Sequence, residues 1–304
     1  TTQTATGMVT ILLIGVLIGL YLFVPLFLFK RRKAARNLQP PEVQTALRGP
    51  GESLRRRADQ CLEEMLGIVL KGAPLSLVFA ATPGLLLFLW PQANPWPLFL
   101  SGIALFLAAF LVIVGKMSRL LDQHSRARLG WLGECKVAEH LTGCQRAGFH
   151  VVHDVTIEKQ GRTMNIDHVV IGRSGVVVIE TKMRSKPEKA VKEKIEVIYD
   201  GESISWPRFK GDTKPLWQVK ECASWLKEFF RKECGVRVPV KTVIAIPGWS
   251  GKELSLGQPR VVSGAGVSDA VQQAVNADLL ELSPGDVNSM YRAVVERCRD
   301  VDLA

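Results

Sequence analysis

The chain has 304 residues, 47% of them hydrophobic, with 39 basic against 29 acidic side chains and a formal charge of +10. Its six cysteines (Cys61, Cys135, Cys144, Cys222, Cys234 and Cys298) form no CxxC pair, which excludes cysteine metal-ligand spacing and leaves them as reduced thiols facing a cytosol. The length would suit a soluble protein of two domains, but residues 1–29 and 72–115 hold no Lys, Arg, Asp or Glu, so both windows are membrane candidates.

Residues 30–71 carry 10 basic and 5 acidic side chains, leaving 29 and 24 for 116–304, so each polar part has a charge of +5. Over 42 residues that excess is dense. Over the remaining 189 it is mild, and net charge neither supports nor excludes nucleic-acid binding.

The first apolar run, residues 8–29, is followed directly by Lys30, Arg31, Arg32 and Lys33. At about 1.5 Å per residue it reaches roughly 33 Å, enough for a bilayer core. Its charges come after the run, opposite to a signal peptide, so it is expected to remain as an anchor. The basic cluster then belongs in the cytoplasm and the N-terminus outside. Leu54, Ala58, Cys61, Leu62, Met65, Leu66 and Val69 recur at helical spacing and predict an amphipathic helix. It lies either on the membrane face or on the following domain. Residues 73–90 and 98–115, separated by a proline-rich turn with Trp96, predict a transmembrane hairpin. A re-entrant hairpin is the alternative. Lys71, Lys116, Arg119, Arg126 and Arg128 place both its ends in the cytoplasm, at a cytoplasmic (inner) membrane of bacterial type.

Beyond the hairpin a helix is expected to run from Lys116 through Arg128, and a second to carry Glu134, Val137, Ala138 and Leu141 and end near Gly143. Strands follow at 149–158 and through the hairpin of 165–182, with two short ones in 196–206 around Asp200 and Gly201. A helix at 216–234, a buried strand at 241–246, a short one at Val261 and Val262, and helices at 267–280 and 285–299 complete the order. It is an α/β pattern.

The hairpin carries the chemistry. Two β-branched runs flank Gly172–Arg173–Ser174–Gly175, and Ile171 to Asp167 is as long as Val176 to Glu180. A turn there sets Asp167 beside Glu180, and strand alternation puts Lys182 on the Glu180 face. Carboxylates that close repel unless a cation lies between them. Oxygen ligands without thiols suit Mg²⁺ or Mn²⁺. For Lys182 and Glu180 the bland alternative is an ion pair, and for Asp167 a strand-end salt bridge.

Asp167, then twelve residues, then Glu180–Thr181–Lys182 resembles the D-(x)n-ExK core of the PD-(D/E)XK nuclease superfamily. The blocks around Gly130–Glu134, Asn165–Val170, Gly175–Lys182 and Lys214–Gln218, in that order, resemble those of the nuclease-related domain (NERD) over about 128–248. The resemblance implies a restriction-endonuclease-like α/β fold, here preceded by three transmembrane helices and filling 116–304. It implies Mg²⁺ or Mn²⁺ as cofactor, held by Asp167, Glu180 and the Thr181 carbonyl, with Glu134 as a further ligand or water-orienting group. Lys182 would stabilise the attacking water or the charge on phosphorus. Gln218, near a helix N-terminus, would hold a phosphate or that water.

Other residues are weaker candidates. Asn165 shares the Asp167 face and is expected to orient that carboxylate. His168 points to the other face as a packed imidazole, and His153–Asp154 is weaker still. Trp206, Trp217 and Trp225 are expected in the core, with base stacking as the alternative. Gly264–Ala265–Gly266 is read as a turn lacking a strand-then-helix nucleotide loop. The functional expectation is a membrane-anchored nuclease acting on DNA, incoming foreign DNA included. Its rival is a silent or regulated module that binds DNA or a protein partner, and the sequence leaves homo-oligomerisation open. A transporter is disfavoured because the membrane segments carry no ionisable residue.

Overall fold

The protein is described by a computed structural model covering residues 47–90, 92, 94–159, 161–188, 196–207, 209–253, 257, 259–276 and 281–299. The expected anchor at 8–29 and its basic cluster lie outside the described residues. The chain divides into two compact units, one containing 58–125 and the other containing 47–57 together with 126–299.

Two long helices replace the shorter ones read from sequence. α1 (Glu52–Leu89) joins the amphipathic helix to the first hairpin arm without a break at Gly72, and α2 (Pro95–Arg146) fuses the second arm with both helices expected after it. The glycines that suggested ends weaken a helix locally by about 1 kcal/mol each, and the Lys and Arg residues beside them are good helix formers. Backbone pairing on both sides carries the helix through them. Among the described residues one helix, Trp96–Arg146, is long and apolar enough to cross a membrane, where two spanning arms, 73–90 and 98–115, were expected. Leu100, Leu111, Trp90 and Trp96 are exposed, while Cys61, Met65 and Leu120 make a small core within the first unit.

The second unit is α/β. Its larger sheet has the order β1-β2-β3-β7-β9, from β1 (His150–Lys159), β2 (Arg162–Gly172), β3 (Gly175–Thr181), β7 (Val240–Ile246) and β9 (Arg260–Ser263). β1, β2 and β3 are antiparallel neighbours, and β7 and β9 are added parallel. β3 is buried along its whole length, as an unbroken Val/Ile run in a central strand requires. The turn expected at Gly172 to Gly175 forms, with those two residues paired across it. Gly175 has φ +140°, and a Cβ on Gly172 would sit 2.4 Å from the Phe149 ring, so both positions favour glycine.

A second sheet was not expected beyond its first hairpin. β4 (Val197–Tyr199) and β5 (Ile204–Trp206) are the two short strands around Asp200–Gly201. β6 (Phe209–Asp212) and β8 (Gly251–Glu253) flank them, giving the order β6-β5-β4-β8. Three- and four-residue strands carry too little periodicity to be read alone.

Helices cover both faces of the larger sheet. On one, α3 (Lys214–Glu233) buries Leu216, Val219, Leu226 and Phe230 at three- and four-residue spacing. Pro215 starts it, Arg231 and Lys232 suit its C-terminal dipole, and Gly235 at φ +69° ends it. α5 (Pro284–Glu296), capped by Ser283 accepting from the Asp286 amide, adds Met290 and Val294 to that core. On the other face Val137 and Leu141 of α2 meet Val267 and Val271 of α4 (Val267–Asn276) against Val177 and Ile179. Phe230, wholly buried under the sheet, sets a test of this packing. Phe230→Ala is expected to destabilise the protein by about 3–5 kcal/mol in denaturant unfolding, and a loss under 1 kcal/mol would contradict the core described here.

Candidate functional site

His168 faces Ile179 and Gly172 faces Gly175 in the β2–β3 ladder. One step further along the same register, Asp167 stands opposite Glu180. On the other side His153 faces His168 and Val155 faces Ile166, so Asp154 comes level with Asp167. Three acids thus lie in a row across β1, β2 and β3. Asp167 Oδ2 accepts the Thr181 amide at 2.6 Å, which ties the first acid to the ExK segment. Glu180 is buried, and Lys182 Nζ lies 2.6 Å from its Oε1 as an ion pair. The pair is direct, so the ammonium satisfies that buried carboxylate oxygen. Gln218, in the first turns of α3, accepts from the same ammonium at 3.5 Å. Its amide therefore positions Lys182.

Glu134 joins the group from α2 and is 5% exposed. Close approach at the adjacent glycine sets its place: a Cβ on Gly133 would lie 2.7 Å from that of Met183, just past the ExK segment. The structure thus brings together Glu134, Asp167, Glu180, Thr181, Lys182 and Gln218.

The electrostatics are those of a site short of positive charge. Burial, then the charges of Asp154 and Glu180, push the Glu134 carboxyl up to about 8, against the pull of Lys182 and the Gly51 amide. Asp167 is raised well above the usual carboxylate range by desolvation and by Glu180 and Glu134. Burial raises Glu180 too, with Lys182 opposing. Burial pushes the Lys182 amine down, but the Glu180 and Asp167 charges outweigh it and the net shift is upward. Among the described residues no three His, Cys, Asp or Glu side chains converge tightly enough to form a metal site unaided. The all-oxygen donor set and the excess acid charge nevertheless fit a small hard divalent cation such as Mg²⁺ or Mn²⁺.

Several expectations need correction. Asn165 does not orient Asp167; its Nδ2 donates to Asp154 Oδ1 at 2.9 Å. Asp154, set down as a weak candidate, is 1% exposed and is the one described non-glycine residue with positive φ, +51°. Its signal in the sequence is an acid inside an apolar strand, where aspartate is disfavoured. His168 is wholly buried, its Nδ1 2.8 Å from that of His153 and its Nε2 3.3 Å from Thr181 Oγ1. Burial holds His153 near 4 and His168 well below its ordinary value, so both imidazoles are neutral. Trp206 is buried against Trp249, but Trp217 is 54% exposed on α3 and so lies outside the core. The Gly264–Gly266 turn joins β9 to α4, the short strand and the helix expected on either side of it.

The raised Glu134 carboxyl has a consequence for stability. Its folded value lies above the ordinary 4.5, so the folded protein keeps a proton that the unfolded chain releases, and stability falls as pH rises from 4.5 toward 8. Glu134→Gln removes that slope. Without metal, the variant is expected to melt near wild type at pH 5 and above it at pH 8, gaining roughly 1 kcal/mol per pH unit between. A difference independent of pH would place Glu134 in solvent.

Comparison with known proteins follows the same outline. No solved structure matches the chain. An uncharacterized protein of Bacillus anthracis is 30% identical over 81 residues, 26% of this chain, and the match spans 38% of that relative's length. Residues 129–247 match the nuclease-related domain (NERD), and the chain carries that domain over the strands and helices that hold the acids.

Proposed function

We propose that the protein is a membrane-anchored, metal-dependent nuclease that hydrolyses phosphodiester bonds in DNA. The observation that carries this reading is the level pairing of Asp167 with Glu180, and Lys182 beside them, inside a nuclease-related domain. Asp167, Glu180 and the Thr181 carbonyl would hold Mg²⁺ or Mn²⁺, with Glu134 flanking them. Such an ion polarises the scissile phosphate and lowers the pKa of a bound water. Lys182 holds the attacking water and offsets charge developing on phosphorus. Gln218 fixes the Lys182 ammonium, and Glu134 would orient a water bound to the ion. The carboxyls that burial and mutual repulsion raise, Glu134, Asp167 and Glu180, would each be drawn back toward the ionised form by a bound cation.

The apolar helix within 96–146 supports anchoring, with exposed Trp90 and Trp96 suited to a membrane–water boundary. The nuclease domain is assigned to the cytoplasmic face on the positive-inside rule. Incoming foreign DNA is the substrate such a location would meet first. Recovery of the protein from cells in the soluble fraction would remove the anchor from this reading.

The catalytic assignment is tested on full-length protein in detergent with Mg²⁺ or Mn²⁺, offered single-stranded DNA, double-stranded DNA and RNA. Cleavage of DNA is expected, falling at least about 100-fold in Lys182→Ala and in Asp167→Ala with folding intact. Equal cleavage by either variant would end the mechanism. A second reading is favoured by the direct Lys182–Glu180 ion pair, which closes part of the acid cluster. On it the domain is a silent or regulated module that binds DNA or a protein partner. Binding that survives loss of both Asp167 and Glu180, with no cleavage of any substrate, would select it.

A further inference from the structure

Asp154 is a buried acid for which the reaction outlined above has no role. All its partners are accounted for. Oδ1 accepts from Ser53 Oγ at 2.8 Å and Asn165 Nδ2 at 2.9 Å, and Oδ2 accepts from the Ser53 amide at 2.8 Å, with Arg48 Nη1 at 3.5 Å. A carboxylate with four donors has no lone pair directed at an ion. It is a fastening between strands and a remote piece of chain. Ser53 lies 101 residues earlier, at the start of α1, where helix amides lack intrahelical partners and a carboxylate is favoured.

The segment from Leu47 to Leu54 is fastened to β1, to the chain at 298–299 and to α2 beside Glu134. Arg48 donates to Thr156 Oγ1 at 2.6 Å, its amide donates to the Cys298 carbonyl at 2.9 Å, and Leu47 bridges Arg299. Gly51 adopts φ +67°, and a Cβ there would lie 2.8 Å from the Trp131 side chain and 3.4 Å from Glu134 Cβ. The Gly51 backbone is thus packed directly against Glu134. A Cβ on Gly130 would meet Leu54 at 2.8 Å. The same few residues therefore hold Glu134 through Gly51, and the β2 strand two residues before Asp167 through Ser53, Asp154 and Asn165. The segment lies outside the nuclease-related match, which begins at 129.

We propose that Arg48–Ser53 is a strap that sets the reaction site, with Asp154 as the positioning residue through which it acts on the strand carrying Asp167. The strap rests on the nuclease reading for its purpose, and its geometry is independent of that reading. A nuclease site in this protein is then completed by chain from before the apolar helix. Residues 116–304 without the strap would hold Glu134 and Asp167 loosely.

The test uses full-length protein in detergent. Ser53→Ala removes one donor, Ser53→Thr keeps it, and Asp154→Asn mismatches the donors around the carboxylate. Val275→Ala serves as a destabilised control, since Val275 lies beside Gly175 at the opposite end of the hairpin from the acids. Two readings are taken on each: Mn²⁺ affinity by calorimetry, and hydrogen exchange at the amides of 130–138 and 165–168. Ser53→Ala and Asp154→Asn are expected to weaken Mn²⁺ binding about tenfold and to speed exchange about tenfold in those two stretches, while Ser53→Thr stays within about twofold of wild type. The proposal is overturned if Ser53→Ala exchanges there no faster than Val275→Ala. If wild type takes up no Mn²⁺, the exchange reading alone upholds or overturns the strap. Normal Mn²⁺ affinity without cleavage of any nucleic acid would remove the nuclease and leave the strap standing.

Discussion

The second unit is organised around a shortage of positive charge. Glu134, Asp167 and Glu180 are drawn into a desolvated cluster faced by the Lys182 ammonium, and burial raises all three carboxyls, Glu134 to about 8 and Asp167 well above its usual range. Such a cluster costs folding stability unless something repays it. The apolar core around it is extensive, from Phe230 and Leu226 on one face of the sheet to Leu141 and Val271 on the other. That core can carry an unfavourable site.

Strand register converts this shortage into geometry. Because Gly172 and Gly175 close the hairpin as a pair, the ladder runs in fixed register to His168 and Ile179, and the two acids come level one step beyond it. The neighbouring strand departs from regularity at the same level. Val152, Val155 and Ile157 all enter one core, although strict alternation would send Val152 and Val155 to opposite faces. The left-handed φ at Asp154 reverses the alternation there. Backbone strain of that kind persists where surrounding bonds hold it, and Ser53, Asn165 and Arg48 supply them.

Elements with strong local patterns were legible. The β2–β3 hairpin, the amphipathic α3 and the buried β7 appear close to where hydrophobic periodicity and turn residues put them. The long helices were not, because the glycines that mark a helix end in isolation cost less than the backbone pairing around them contributes. The short strands β6 and β8 fell below any readable period. Within the site, Lys182 beside Glu180 could be read from alternation. The partner of Asn165 could not, since both Asp154 and Asp167 are near it in the ladder, and side-chain reach alone chooses between them.

By itself the sequence determined the α/β class of the second unit, the hairpin, the pairing of Asp167 with Glu180, and the apolar character of 72–115. Those follow from interactions among residues close in the chain, where spacing translates directly into direction. The tertiary structure alone decided that Glu134 is buried against the acids, that Gln218 reaches Lys182, and that Asp154 fastens the chain from Arg48 to Ser53 beside them. Each of these joins residues far apart in sequence, and which distant surfaces meet is set by the packing of whole helices and sheets. No local pattern encodes it.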